Sequence, residues 1–250
     1  MERAESLRRL VLSSGKALAD LAMPRTCLVC GNPLGAEEKH LCIWCEADVP
    51  LTYAWENTHN SMADEFNAVL ERLRRDDEPL EYTYAASLMY YHHDNPFKAI
   101  PRELKYHRNI PAGRFFSARL GRYMAAQPHW ADVDVVIPVP LHWLRRWRRG
   151  YNQAAVIAAE LARELGASLR VDILRRMRRT RSQTSLSAEE RLRNVCSVFQ
   201  VCGTVEARHI LLVDDTFTTG ATLAACQRVL RDAVGPSVRI SVATLARVDT

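Results

Sequence analysis

The chain has 250 residues, 48% hydrophobic and 25% charged, with 34 Lys and Arg against 29 Asp and Glu for a net charge of +5. This is ordinary soluble globular composition, enough for one large domain or two modest ones, with no internal repeat or low-complexity tract. No stretch approaches the ~18 apolar residues a spanning helix needs, and the mildly basic balance suits an anionic ligand or nucleic acid without choosing between them.

The first segment carries an apolar stripe of Leu7, Leu10, Val11, Leu18 and Leu21, interrupted by Lys16 and Asp20. No small-residue cleavage site follows, so a cytoplasmic protein is expected, and any attachment to the inner membrane would go through partners. Few basic residues flank the stripe, which argues for docking on the protein itself.

Cys27-x2-Cys30 and Cys42-x2-Cys45 come next, with Gly31, Asn32, Pro33 and Gly35 as turn residues after the first pair. Two such pairs can converge on one tetrahedral Zn2+, and four thiolates leave no open position, so the metal would be structural. A redox dithiol would need a strand before it and a helix after it. His40 is expected at the surface, and Cys196, Cys202 and Cys226 in bland core roles.

From Pro50 to Pro79 the chain is polar, with a helix through Met62, Phe66, Val69, Leu70 and Leu73 and a solvated charge run from Arg74 to Glu78. The expected division is an N-terminal helix and four-cysteine zinc ribbon over 1–50, a connector over 51–79 and a second domain over 80–250.

Tyr82 to Tyr91 reads as a strand and Asn95-Pro96 as a break; a segment with Ile100, Leu104 and Lys105 follows. Phe116, Leu120, Tyr123 and Met124 mark an amphipathic helix that Gln127-Pro128 ends. Val133 to Val139 is a buried strand, after which Arg145, Arg146, Arg148 and Arg149 interleave with Trp143 and Trp147. Gly150-Tyr151-Asn152-Gln153 then opens a helix with Ala154, Ile157, Ala158, Leu161 and Leu165 on one face and Gly166 as its cap. Strand, basic loop and helix are the parts of an anion site, because guanidinium groups bind phosphate oxygens bidentately. The Arg-Trp alternation fits single-stranded DNA as well, with bases stacked on the rings.

Val171 to Leu174 reads as a short strand, followed by an arginine-rich loop and a helix start at Ser187 with Glu190. That loop is either a mobile cover for an anionic substrate or a plain basic loop. Ser197 to Val201 and Val238 to Leu245 are the remaining strands.

Ile210 to Leu223 says most about function. An apolar run to Val213 reads as a strand buried on both faces, stopping at Asp214 and Asp215. A loop of Thr216, Thr218, Thr219, Gly220, Ala221 and Thr222 opens a helix with Leu223, Cys226, Leu230 and Ala233 on its apolar face and Gly235 at its end. Unpaired N–H groups in the first helical turn, threonine hydroxyls and a glycine suit a phosphate monoester. The acids would accept from two adjacent sugar hydroxyls and hold a hard divalent cation. Neither a Walker A loop nor a Gly-x-Gly-x-x-Gly fingerprint is present. Alternating strands and helices predict an α/β domain with a mainly parallel sheet, its ligand beyond the carboxyl ends of the strands.

The Val213-Asp-Asp-x-x-Thr-Thr-Gly-x-Thr222 stretch resembles the motif of type I phosphoribosyltransferases. Together with the four cysteines, Ile137-Pro-Val-Pro-Leu141, Arg149-Gly-Tyr-Asn-Gln153, and Arg181, Gln183, Arg191 and Asn194-Val195, it is similar to the ComF family, the competence-protein and GntX-like relatives. Thr216 stands where a β-branched apolar residue is usual. The resemblance implies a site for phosphoribosyl pyrophosphate (PRPP) or ribose 5-phosphate with Mg2+, and a bacterial role in handling incoming DNA with DNA-uptake proteins. It assigns Asp214 and Asp215 to the ribose hydroxyls and Mg2+, and Thr216, Thr218, Thr219, Gly220, Ala221 and Thr222 to the 5-phosphate. Arg145, Arg149, Arg181, Gln183, Arg191 and Lys105 fall to pyrophosphate or a flexible loop, and Asp214, Asp215 and Arg149 to catalysis. Lys105 is otherwise an ordinary exposed lysine. No residue stands out as a base for an acceptor, which leaves two expectations open: phosphoribosyl transfer to an unknown acceptor, or a non-catalytic adaptor for single-stranded DNA that senses PRPP.

Overall fold

A computed structural model of the chain describes residues 25–74, 81–92, 94–141, 147–177 and 198–248. Its helices are α1 (Ile43–Ala47), α2 (Ser61–Leu73), α3 (Ala99–Tyr106), α4 (Ile110–Ala125), α5 (Gln153–Leu165) and α6 (Ala221–Val234). Strands β1 (Ala85–Tyr91), β2 (Val135–Pro138), β3 (Ser168–Leu169), β6 (His209–Phe217) and β7 (Arg239–Val248) form one five-stranded sheet. Its order is β1-β7-β6-β2-β3 and every pairing is parallel. Strands β4 (Leu174–Arg176) and β5 (Phe199–Val201) make a separate antiparallel ribbon.

The central strands are apolar at consecutive positions because both faces of the sheet are covered. Leu211, Val213, Val136 and Leu245 pack on one face against Phe116 and Leu120 of α4 and Ile157 and Leu161 of α5. Ile210, Leu212, Ile137 and Val242 face the other way, onto Met62 and Phe66 of α2 and Leu223 and Leu230 of α6. The period of two along each strand thus separates two core layers. Among the described residues no helix is long and apolar enough to cross a membrane.

Several expectations shift. Strand β6 does not stop at the acids: Asp214 pairs in register with Thr244 and Thr216 with Ala246, and buried Phe217 closes the strand. The long parallel neighbour β7 supplies backbone partners that local sequence does not reveal. The first strand of the ribbon lies at Leu174–Arg176, where β5 pairs with it, rather than at Val171 to Leu174. Ala233 is exposed, and the buried face of α6 is made by Leu223, Ala224, Ala225, Cys226, Gln227 and Leu230. His40 is half-buried with its ring 5.1 Å from that of Phe115.

The helix expected in the connector covers one face of the sheet. Asn60 caps it by accepting from the Ala63 N–H at 3.0 Å, and the same side chain donates to the Ala85 carbonyl in β1 at 3.0 Å. Asn67 clamps Thr83 from both sides, accepting its N–H at 2.9 Å and donating to its carbonyl at 2.8 Å. Buried Arg247 of β7 reaches Ser61 and Glu65. A polar sequence hides this because only one stripe of α2 is apolar. The N-terminal stripe from Leu7 to Leu21 lies outside the described residues.

The cysteine-bearing segment docks outside α4. Leu41, Cys42, Val49 and Trp55 join the α4 face of the core, and Trp55 stacks on Tyr123 with ring centroids 4.7 Å apart.

Candidate functional site

Three places among the described residues gather chemistry-bearing side chains. The first is the cysteine cluster. Tight backbone turns bring Cys27, Cys30, Cys42 and Cys45 together: the Gly31 N–H donates to the Cys27 carbonyl at 3.0 Å and the Cys27 N–H to the Asn32 carbonyl at 2.8 Å. Glu38 staples the two halves, accepting from the Gly35 N–H at 2.6 Å and the Ile43 N–H at 2.7 Å. All four sulfurs lie within 4.8 Å of one another, with Cys30 and Cys42 3.6 Å apart. A tetrahedron of thiolates with ~2.3 Å bonds to zinc has edges of about 3.8 Å, so the donor set fits. Burial opposes ionisation of Cys27, yet the N–H groups of Cys30, Cys42 and Val29 bring its thiol down to about 6. Burial, with the neighbouring sulfurs, pushes Cys45 up. Four crowded sulfurs ionise together only around a cation, and these four can hold a structural zinc ion.

The second place is a cleft of about 430 Å3 at the carboxyl ends of β1, β2, β6 and β7. Asp214, Asp215, Thr216, Thr218 and Thr222 line one side; Arg102, Lys105, Arg149 and Arg176 line it too. Five of the predicted loop residues therefore meet two of the predicted cations in one cavity. Thr219, Gly220 and Ala221 are absent from the lining. Arg145, Arg181, Gln183 and Arg191 lie outside the described residues.

Each wall is held by local geometry. Gly220 sits at φ 68°, and a Cβ there would come 3.0 Å from the Phe217 ring and 3.1 Å from Phe66. The glycine is needed by the core beneath the loop as well as by any ligand above it. On the basic side, Asn152 donates to the Val139 carbonyl at 2.9 Å and the Tyr151 hydroxyl to the Leu104 carbonyl, joining the 149–153 turn to β2 and to α3. Arg149 donates to Gln153 at 3.1 Å and lies over the Tyr106 ring at 5.6 Å. Because arginine only donates, Gln153 presents its oxygen to Arg149, and its buried amide nitrogen has no partner.

The acids are electrostatically strained. Burial, and then the adjacent Asp215 charge, push the Asp214 carboxyl up to about 7, against the Asp215 N–H, Lys105 and Arg176, which pull it down. Lys105, expected either at the site or as an ordinary exposed lysine, lines the cleft with its Nζ 3.7 Å from Asp215. Arg102 escaped sequence reasoning, which places Arg176 only within the arginine-rich loop after Leu174. Arg102 precedes Lys105 by three residues on α3, a spacing that puts both on one helix face and could have flagged it. Arg176 enters through the β4–β5 ribbon, and no local signal foretells that.

The opposite end of the sheet holds the third, a polar cluster. His209 bonds Asp132 through Nδ1 and Ser241 through Nε2, both at 2.8 Å. This is the bonding order of a serine hydrolase triad, but Ser241 and His209 are completely buried, so no substrate reaches the hydroxyl.

Basic and aromatic residues stand close to Tyr106 and Arg149 of the cleft lining, in the sequence or by hydrogen bond. Trp147 is 79% and Tyr106 60% exposed, and Arg108 donates to the Arg148 carbonyl at 3.4 Å.

No family model matches the chain. It is similar to competence protein F of Haemophilus influenzae, 39% identical over 101 residues, which cover 39% of this chain and 44% of that protein. DNA utilization protein YhgH of Escherichia coli K12 is 38% identical over 97 residues, 39% of this chain and 43% of the relative. Competence protein ComFC of Bacillus subtilis is 33% identical over 114 residues, 45% of this chain and 44% of the relative. Each match spans less than half the length of the relative.

Proposed function

We infer, from the premise that this chain is a member of the ComF family, that it acts in DNA uptake and that its cleft binds PRPP in the manner of a type I phosphoribosyltransferase. The observation that carries this reading is the composition of one cavity. Adjacent carboxylates and threonine hydroxyls share about 430 Å3 with four cations at the carboxyl ends of parallel strands.

Asp214 and Asp215 would accept from the ribose hydroxyls. Thr218 and Thr222, beside the first turn of α6, would donate to the 5-phosphate, where the positive end of the helix dipole also acts. Arg149 and Arg176, with Arg102 and Lys105, would neutralise pyrophosphate and favour its departure from C1. Asp214 and Asp215 are also a donor set for Mg2+, since two crowded carboxylates, one pushed up to about 7, are relieved by a hard cation. Bound there, the ion would screen the leaving pyrophosphate. Among the described residues the lining holds no histidine or glutamate to activate an acceptor. Phosphoribosyl transfer is therefore the further step of this proposal.

Calorimetry on the zinc-loaded, magnesium-supplemented protein tests the reading: heat with PRPP and ribose 5-phosphate is expected, and silence with both overturns it. Pyrophosphate release across a panel of amines and bases then tests turnover.

A second reading rests on the residues near Tyr106 and Arg149. Exposed Trp147 and Tyr106 beside Arg108 and Arg148 are a stacking-and-backbone surface for single-stranded DNA. It makes the protein an adaptor that carries PRPP as a signal. Oligonucleotide binding that falls steeply with salt, in a protein without turnover, would favour it.

A further inference from the structure

One of the cations beside the acids is not one that a phosphate loop needs. Lys105 stands in the last turn of α3 with its Nζ 3.7 Å from Asp215, and its charge also lowers the proton affinity of Asp214. It therefore occupies the electrostatic position a divalent ion would take.

The helix that carries Lys105 is fixed on both sides. Leu104 is buried so tightly beneath α4 that a Cβ on Gly113 would come within 2.5 Å of it, and the Leu104 carbonyl accepts from Tyr151. The lysine stem is the mobile part, and the same cleft offers anionic ligands another place for its ammonium, beside Arg102, Arg149 and Arg176.

Resting on the reading of the cleft as a Mg-PRPP site, we propose that Lys105 is a tethered counter-ion that excludes free divalent metal from Asp214 and Asp215 until a polyphosphate draws it away. Metal then enters with the ligand and not before it. A protein among cellular magnesium keeps an open cleft, and ribose 5-phosphate, which has no pyrophosphate, leaves the lysine on Asp215.

Mn2+ titration followed by electron paramagnetic resonance, on zinc-loaded protein without phosphate ligand, tests this. Lys105→Gln should bind Mn2+ about tenfold more tightly than wild type, the scale of one unit charge removed near 4 Å in a wet site, and Lys105→Arg should behave as wild type. The gain should vanish when Asp214→Asn and Asp215→Asn are added. Equal Mn2+ affinity in Lys105→Gln and wild type, or a gain that survives loss of both acids, overturns the proposal. Wild-type calorimetry with Mg-PRPP separates the two failures. Silence there removes the PRPP reading itself, whereas heat there without a gain in Lys105→Gln removes only the counter-ion.

Discussion

At the amino end of the sheet, Asp132 accepts from His209 at 2.8 Å and from Arg239 at 2.8 Å, and Asp134 accepts the N–H groups of Arg208 and His209. At the carboxyl end of the same β6, Asp214 and Asp215 stand side by side with Lys105 at 3.7 Å. Burial opposes the charge on Asp132, but the His209 bond and the His209 and Arg239 charges hold it below the usual carboxylate range. The Arg208 N–H does the same for Asp134. Burial and Asp215 drive Asp214 the other way, up to about 7. Four aspartates at the two ends of one sheet are thus divided between a satisfied pair that holds the fold and a strained pair whose charges crowd each other.

The cysteine cluster sharpens this contrast, because it too crowds ionisable groups whose joint ionisation needs a cation. Cys42→Ser should lose zinc and cost more than ~4 kcal/mol, since structural zinc affinity is folding free energy, and metal content with chemical denaturation checks it. In the strained pair, Asp214→Asn with Asp215→Asn should weaken Mg-PRPP binding by about 100-fold or more while the melting temperature holds or rises. Calorimetry and thermal melts read the two effects separately; a fall in melting temperature would break the contrast. In the satisfied pair the pattern reverses. Asp132→Ala should cost about 1–2 kcal/mol, because it leaves Arg239 and the His209 N–H without their acceptor, and PRPP affinity should not move.

Acid distinguishes the pairs by sign. Burial, against the Asp132 bond, pushes His209 below its ordinary 6.5, so stability present above about 6.5 is lost as pH falls through the lowered value. Asp132 and Asp134 add a further loss below 3.8. Asp214 acts oppositely: its raised value means the fold gains stability as pH falls through about 7 toward 3.8. Urea melts without added magnesium should therefore show Asp214→Asn declining from pH 6.5 more steeply than wild type, by on the order of 1 kcal/mol.

Much of this was legible in the chain. The turn from Val213 to Thr222 and the paired cysteines are local patterns, in which spacing along the sequence is nearly spacing in space. The strand through the acid pair was misjudged because its partners on β7 are some thirty residues away, roughly a full crossover unit. The helix at Ser61–Leu73 passed as a connector because its buried stripe is narrow and its outer face is charged.

What the sequence by itself determined is the type of chemistry: acids, hydroxyls and a helix start at a strand end, four thiols in two knuckles, and alternating elements that demand a parallel sheet. Tertiary structure alone decided which charges meet. Arg102 and Lys105 from α3, Arg149 from the turn before α5 and Arg176 from the ribbon share one cleft with Asp214 and Asp215, while buried His209 links exposed Asp132 to buried Ser241 at the far end. The reason is physical: helical and strand periods are written in neighbouring residues, but the field at a carboxylate depends on side chains delivered by several crossovers, and no local pattern encodes it.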